Sequence, residues 1–401
     1  QYINLNLDRT EDKAYFEKES SFQNLLDALF FFKNVEKNAG KTLIFIDEIQ
    51  NSPRAVSLLR YFYEDTPEIY VIAAGSLLES LIDNQISFPV GRMEYLAMRP
   101  CSFEEYLLAA NEKKALEILD QQPFPEFAHD KLSGHFREFA IIGGMPAIIG
   151  SFLENRDYLK LKPIYDGLIV SYLDDVEKYA RNVTMKHVIR HIIQTSFSAA
   201  GERIKFEGFG HSNYRSREIG DAFRTLEKAM LLQLVYPAVN ESLPMDIKYR
   251  TPKLQMLDSG LVNHMAGLQG ALLGNNMVDA AFRGKTAEHM AGQELISSES
   301  SVIAKLNFWL RDSRNSQAEI DWVIPFKGML IPVEVKSGPS GKLKSLHLFM
   351  DKAPHPWAVR LYAGKMKIEE VKSPGGKKFS LVSLPFYLAG RMEKVLEELI
   401  R

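Results

Sequence analysis

A short apolar run that ends in two carboxylates constrains this chain more than any other feature. Residues 43–46 read Leu-Ile-Phe-Ile, and Asp47 and Glu48 follow directly. A continuous apolar run of this length is typical of a parallel strand that is buried on both faces. Open α/β sheets place their ligand chemistry at the carboxyl ends of such strands. The sequence therefore predicts an α/β fold with a ligand site beside these two carboxylates.

The same arrangement is found in the Walker B motif of P-loop ATPases. In that motif the aspartate helps to hold Mg²⁺, and the next acidic residue polarises the water that attacks the nucleotide. We therefore predict ATP and Mg²⁺ as cofactors, with Asp47 as a metal and cofactor ligand and Glu48 as a catalytic residue. An ordinary buried strand that runs into an acidic loop is the alternative.

A Walker B strand works with a phosphate loop of the form Gly-x-x-x-x-Gly-Lys-Ser/Thr, which these 401 residues do not contain. Gly40-Lys-Thr42 comes closest, but Val35 stands where the first glycine is required. This tripeptide also leads directly into the apolar strand, whereas a phosphate loop opens a helix. Since the chain starts at Gln1 in a strand-like segment, we expect the phosphate loop upstream of it. A protein that never had such a loop is the alternative.

Composition is that of a soluble globular protein. The chain is 46% hydrophobic and 25% charged, and its length predicts two or three domains. The net charge of −2 provides no overall attraction to nucleic acid. The single cysteine, Cys101, excludes an internal disulfide and fits a reducing cytoplasm. No apolar run is long enough to span a bilayer, so we expect a cytoplasmic protein without a membrane partner.

Helices and strands alternate around the Asp47 strand over residues 1–110. Apolar residues at helical spacing predict helices over residues 20–37 and 54–65. Residues 69–76 read as a second buried strand. This alternation is the doubly wound α/β pattern.

Six short motifs occur in a specific order and spacing along the chain. They are Ile46-Asp-Glu-Ile-Gln50, Ala74-Gly-Ser76, Gly91-Arg92, Arg99-Pro-Cys-Ser-Phe-Glu-Glu-Tyr106, Gly143-Gly-Met-Pro146 and Leu257-Asp-Ser-Gly-Leu261. Together they resemble a large prokaryotic family of AAA+-type ATP-binding proteins with a carboxyl-terminal domain of uncharacterised function. The resemblance spans nearly the whole chain. It implies an AAA+-like P-loop NTPase sheet in residues 1–110.

The resemblance also suggests cofactor-binding roles for Ser76 and Arg92. In AAA+ ATPases a polar residue at the end of the strand beside Walker B senses the γ-phosphate, and Ser76 stands at that place. The same serine is also a favourable cap for a following helix. Arg92 is a candidate arginine finger or phosphate sensor, with a solvated surface arginine as the alternative. Because arginine fingers usually act across subunits, a homo-oligomer is a candidate assembly.

The middle of the chain is predicted to be helical and then to form a winged helix. Residues 111–182 read as helices that suit a lid over the nucleotide. In residues 183–272, two helices precede a β-ribbon, and the second helix covers residues 216–230. Such a helix can enter the major groove of DNA, but basic and acidic residues balance on this one. Packing against protein or oligomerisation is the alternative to DNA contact.

Two neighbouring strands in residues 273–401 carry Asp321 and Glu334-Val-Lys336. This pattern matches the PD-(D/E)xK nuclease core and predicts a restriction-endonuclease-like α/β domain. Asp321 and Glu334 would coordinate Mg²⁺ beside the scissile phosphate. Lys336, on the same strand face as Glu334, would activate the attacking water as a catalytic residue. Glu288, on a preceding helix, matches a further metal-binding acid of such nucleases.

Two features of this segment keep another interpretation open. Ile320 stands where the nuclease motif has proline. Alternating charge on a half-exposed strand would also produce Glu-Val-Lys. The leading hypothesis is an AAA+-type ATPase whose ATP binding or hydrolysis is coupled to a nuclease-like domain acting on DNA or another nucleic acid. The alternative is a nucleotide-dependent switch whose nuclease-like domain is catalytically inactive and binds a partner.

Overall fold

The computed structural model describes residues 1–19, 21–37, 41–75, 91–121, 124–180, 182–268, 285–311, 318–336 and 343–400. The chain divides into two units, residues 1–95 and residues 96–401. The predicted division into residues 1–110, 111–182, 183–272 and 273–401 is finer than this and stays a prediction.

The first unit is built on a parallel sheet of three strands. These are β1 (Tyr2–Asn6), β2 (Thr42–Asp47) and β3 (Ile69–Ala73), with β2 in the centre. The helices described with them are α1 (Thr10–Lys18), α2 (Phe22–Phe32) and α3 (Pro53–Asp65). The sheet and the alternation of strands and helices agree with the predicted α/β fold and are consistent with an AAA-like domain.

One face of this sheet forms the core of the first unit. Ile44 and Ile46 of β2 are fully buried against apolar side chains of the three helices, such as Leu29 of α2. The opposite face is only partly covered by the described residues, since Tyr70 is 51% and Ile72 52% exposed. The expectation of a strand buried on both faces is therefore met on one face only in the described part of the chain, because all three helices pack on that face.

The second unit combines helices with one large mixed sheet. Its helices are α4 (Phe103–Ala109), α5 (Lys113–Leu119), α6 (His129–Ile142), α7 (Pro146–Asn155), α8 (Lys162–Tyr179), α9 (Val183–Ser196), α10 (Ser216–Lys228), α11 (Ser259–Met265), α12 (Lys285–Ser297), α13 (Lys344–Lys352) and α14 (Met392–Leu399). Its strands are β4 (Leu232–Ala238), β5 (Lys253–Met256), β6 (Asn307–Leu310), β7 (Glu319–Phe326), β8 (Met329–Lys336), β9 (Trp357–Tyr362), β10 (Lys367–Lys372) and β11 (Lys378–Pro385).

The strand order in this sheet is β10-β11-β9-β8-β7-β6-β4-β5. Strand β4 pairs with β5 through residues 232–235 and with β6 through residues 236–238. The strands of the predicted wing and of the predicted carboxyl-terminal domain therefore lie in one sheet. Helix α12 packs on β5 and β8, and α13 packs on β7, β8 and β9. The restriction-endonuclease-like fold remains a prediction for this region.

A buried aspartate joins two of the motifs found in the sequence. Asp258 is fully buried, and its carboxylate accepts the N–H of Gly144 at 2.6 Å and the N–H of Leu261 at 2.9 Å. A Cβ on Gly143, which has a φ of +75°, would lie 2.4 Å from Asp258 Oδ1. Burial raises the pKa of Asp258 to about 6, against the effect of these hydrogen bonds. The Gly143 and Asp258 motifs are thus structural partners that connect α6 with α11.

A second buried carboxyl lies under the start of α4. Glu294 of α12 is 2% exposed, and its two oxygens accept the N–H of Phe103 at 3.2 and 3.3 Å. Burial, helped by the nearby Glu104 and Glu105, raises the pKa of Glu294 to about 8, although the hydrogen bond from Phe103 opposes this. This group therefore holds a proton in the folded state at pH values where it is ionised in the unfolded chain.

The raised pKa of Glu294 predicts that the stability of the fold depends on pH. Because the folded-state pKa lies above the unfolded value of 4.5, stability falls between about pH 4.5 and pH 8 through this group. A tenfold difference in proton affinity between the folded and unfolded states is worth about 1.4 kcal/mol. We expect Glu294→Gln to unfold at a higher temperature than the wild type at pH 9 and at nearly the same temperature at pH 5. Calorimetry at both pH values, with the exposed Glu398→Gln as control, measures this; equal differences at the two pH values would contradict it.

Candidate functional site

The predicted ATP site lies at the carboxyl end of the central strand β2. Asp47 is its last residue, and Glu48 follows in a left-handed conformation with φ +52° and ψ +43°. The N–H of Glu48 donates to Asp47 Oδ1 at 3.0 Å. Left-handed conformations are uncommon for residues other than glycine and cluster at functional sites. The turn thus places both carboxylates at the edge where α/β sheets bind ligands.

Gln50 is a residue of this site whose role the sequence did not reveal. Its side-chain N–H₂ donates to the carboxylate of Glu48, and its Oε1 atom is buried without a hydrogen-bond partner among the described residues. A Cβ on Gly75 would lie 2.3 Å from that oxygen. Gln50 therefore fills the space between Glu48 and the end of β3. The sequence placed Gln50 at the end of the motif Ile46-Asp-Glu-Ile-Gln50 but gave it no role.

The two other residues predicted for the cofactor have different outcomes. Ser76 lies outside the described residues. Arg92 forms an ion pair with Glu64 of α3, with Nε 2.5 Å from Oε1. Both cofactor-binding roles stay predictions.

The structure brings together the residues predicted for the carboxyl-terminal site. Asp321 Oδ2 accepts the N–H of Val335 at 2.7 Å, which joins β7 to β8. Lys336 Nζ lies 2.6 Å from Glu334 Oε1 on the same strand. Glu288 of α12 belongs to the same cluster because its carboxylate lies near another residue, a buried lysine. No motif in the sequence indicated this lysine.

That residue is Lys253, the first residue of β5. It is 4% exposed, and its Nζ atom lies 2.7 Å from Glu319 Oε1, 3.6 Å from Glu288 Oε2 and 3.8 Å from Asp321 Oδ1. Lys253 and Asp321 are far apart in the chain, and no local pattern in the sequence connects them.

Aromatic rings and a second cation complete the surroundings of Lys253. Its Nζ atom lies 5.0 Å from the centre of the Phe308 ring and 6.0 Å from that of Trp322. Such contacts with ring faces stabilise a cation that has lost its water. Glu319 also lies near the Arg203 guanidinium, at 3.6 Å.

Burial dominates the electrostatics of this cluster. It raises the pKa of Asp321 well above its usual value, and the neighbouring carboxylates of Glu334 and Glu288 raise it further. Burial also raises the pKa of Glu334, although Lys336 opposes this. For Lys253, burial lowers the pKa, but the nearby carboxylates outweigh it and the pKa is raised. Lys253 therefore stays charged.

The arrangement does not fit a divalent metal as it stands. In the part of the chain that the structure describes, no group of three or more His, Cys, Asp or Glu side chains has a geometry suited to a metal ion. The ammonium of Lys253 stands where the carboxylates of Glu288, Glu319 and Asp321 converge. Its distances to oxygen suit an ammonium, since Mg²⁺ binds oxygen at about 2.0–2.1 Å. The metal roles of Glu288, Asp321 and Glu334 stay predictions.

Helix α10, predicted as the helix that could contact DNA, has internal ion pairs. Arg224 and Arg217 lie 2.6 and 3.9 Å from the carboxylate of Asp221 on the same helix. This pairing reduces the positive charge that a phosphate backbone would meet. DNA contact by α10 stays a prediction.

Comparison with protein families divides the chain into three matched regions. Residues 1–107 match the model of an AAA domain. The amino-terminal region is therefore similar to AAA-type domains. Residues 133–272 and 283–387 match two domains of unknown function, DUF8612 and DUF4143. Neither the curated proteins nor the solved structures gave a match to the chain.

The AAA match agrees with the location of Asp47 and Glu48. An AAA domain implies nucleotide binding, usually with Mg²⁺, and suggests an ATPase-type function.

Among the described helices, none combines the length and the apolar character that a membrane span requires.

The ion pairs of Lys253 predict a large effect on stability. Lys253→Met leaves buried carboxylates without their cation, and removal of one partner of a buried pair costs about 3–5 kcal/mol. We expect this loss of unfolding free energy at pH 7 and partial recovery when Glu319→Gln is added. Urea unfolding of the two single variants and the double variant gives the coupling energy.

A matched control is Lys305→Met. Lys305 lies 3.4 Å from Glu227 but is more than half exposed, so its loss should cost no more than about 1 kcal/mol. Equal unfolding free energies for Lys253→Met and the wild type would show that the buried ion pairs do not stabilise the fold.

Proposed function

We propose that the protein binds ATP with Mg²⁺ and hydrolyses it at the carboxyl end of β2. The observation that carries this proposal is the placement of Asp47 and Glu48 at the end of the central parallel strand, within the region that matches an AAA domain. Carboxylate oxygens are the ligands that Mg²⁺ prefers, so Asp47 suits the metal.

The chemistry of the site follows from the two carboxylates. Mg²⁺, when bound with the nucleotide, neutralises charge on the phosphates. Asp47, fixed by the N–H of Glu48, supplies an oxygen ligand. Glu48 accepts a hydrogen bond from the attacking water and orients it. Because Gln50 donates to the Glu48 carboxylate, its side chain sets the orientation of Glu48 before water arrives.

Substitution of Glu48 tests this assignment. Glu48→Gln keeps the size of the side chain but cannot accept a proton, so we expect ATP turnover to fall by about 100-fold or more. ATP binding should persist, because Asp47 is unchanged. Turnover and nucleotide binding are measured on the protein with any residues that naturally precede Gln1, since the phosphate loop typical of this fold is not among the 401 residues.

Glu68→Gln provides the control for this substitution. Glu68 is an exposed glutamate just before β3, at the amino-terminal end of the same sheet, and should leave turnover unchanged. Unchanged turnover in Glu48→Gln would remove Glu48 from the mechanism. An absence of saturable ATP binding would overturn the proposal as a whole.

The finer features of the ATPase belong to the same proposal. Arg92 would act on the nucleotide of a neighbouring subunit in a homo-oligomer, and Ser76 would sense the γ-phosphate. The Arg92–Glu64 ion pair would then have to break for Arg92 to act. The protein would work in the cytoplasm, in line with its single cysteine.

For the carboxyl-terminal region, we propose a partner-binding switch that follows the nucleotide state. The competing proposal is a metal-dependent nuclease in which Lys336 activates water beside a metal held by Asp321 and Glu334. The ammonium of Lys253 among the carboxylates favours the switch, because it supplies the positive charge that a metal would otherwise bring. A nucleic acid remains one candidate partner.

A cleavage assay separates the two proposals. We expect no cleavage of single-stranded or double-stranded DNA or RNA in Mg²⁺ or Mn²⁺, with or without ATP, because Asp321 already lies beside Lys253 and Glu334 is paired with Lys336. Gel analysis of labelled substrates measures this, with Asp321→Ala as the control for contaminating nucleases. Cleavage that disappears in Asp321→Ala would establish the nuclease instead.

A further inference from the structure

Lys253 reaches the carboxylate cluster from a strand outside the β7–β8 pair that carries Asp321 and Glu334. Strand β5 pairs with the first half of β4, and the second half of β4 pairs with β6. Segment 201–204 fixes β5 on its other side, since Leu254 N–H donates to Glu202 O at 2.9 Å and Gly201 N–H donates to Leu254 O at 2.7 Å. Lys253 is therefore held by backbone pairing on both sides.

The position of the Lys253 ammonium is that of a bound cation. Carboxylate oxygens from α12 and β7 lie within 3.8 Å of its Nζ atom: those of Glu288, Glu319 and Asp321. The side chain is 4% exposed and its ammonium faces two aromatic rings. A long flexible lysine fixed in this way, at the convergence of three acids, balances their charge without an external ion.

We infer that Lys253 is a built-in cation that excludes divalent metals from the cluster of Glu288, Glu319 and Asp321. The three carboxylates are a donor set that suits Mg²⁺, Mn²⁺ or Ca²⁺, but the ammonium occupies the point on which they converge. Removal of the ammonium, with the carboxylates kept, converts the cluster into a metal site. This inference does not depend on ATP binding or hydrolysis.

The experiment measures Mn²⁺ binding in the absence of nucleotide. Asp47→Asn is present in every variant, so that the proposed ATP site contributes no binding. The variants compared are the parent, Asp321→Asn, Lys253→Ala, Lys253→Ala with Asp321→Asn, and Lys305→Ala as the lysine control. Free Mn²⁺ is followed by electron paramagnetic resonance, and the melting temperature is recorded with and without Mn²⁺.

We expect no saturable site in the parent or in Lys305→Ala. Lys253→Ala should bind one Mn²⁺ at least about tenfold more tightly than the parent, because the three buried carboxylates lose their cation and Mn²⁺ restores the charge balance. Mn²⁺ should also raise the melting temperature of Lys253→Ala and not that of the parent. Both effects should disappear when Asp321→Asn is added.

Two results would overturn the inference. One is a parent protein that already binds one Mn²⁺ and loses it in Asp321→Asn, a comparison that does not require Lys253→Ala to fold. The other is a folded Lys253→Ala, verified by circular dichroism, that gains no site. If Lys253→Ala fails to fold, Lys253→Ala with Glu319→Gln removes one charge of each sign and keeps Glu288 and Asp321 for the ion. The same gain is then expected, and its absence in that folded variant contradicts the inference.

Discussion

Charge balance in a buried space is the constraint on which the carboxyl-terminal region depends. Asp321 and Glu334 are nearly inaccessible to water, and ionised groups in such surroundings are costly unless opposite charge lies close by. Lys253 and Lys336 supply that charge from two different strands. These ion pairs fix the relative positions of the strands, of the helix that carries Glu288 and of the segment that carries Arg203. Displacement of any of these elements would leave a charge unpaired.

Elsewhere in the same unit, buried carboxyl groups are stabilised without cations. Asp258 and Glu294 accept backbone N–H groups at the starts of helices, where the peptide dipoles favour negative charge. Both have raised pKa values because burial outweighs these bonds. The unit therefore uses two kinds of buried acid. The acids near Lys253 keep that lysine charged. Asp258 and Glu294 instead accept hydrogen bonds from backbone N–H groups at helix starts and so connect helices.

The sequence predicted the features that are local and missed those that are not. The Asp47 strand and the two neighbouring strands that carry Asp321 and Glu334 follow from short patterns, and the structure contains β2 and the β7–β8 pair. Strand β10 was not predicted, because five of its six residues are exposed and it lacks an apolar alternation. Lys253 was missed because its partners lie more than thirty residues away in the chain. The sequence of its own strand indicated only an ordinary strand of a β-ribbon.

The strand β4 has a consequence for how this protein can be divided. It lies within the region matching DUF8612, yet residues 236–238 pair with β6, which lies within the region matching DUF4143. Without β4, an edge of β6 would lose its partner and be open to pairing with other chains. The two regions match different family models, but their strands belong to one sheet. A protein that inherited the second region without the first would need another element, such as a strand, helix or loop, to cover this edge of β6.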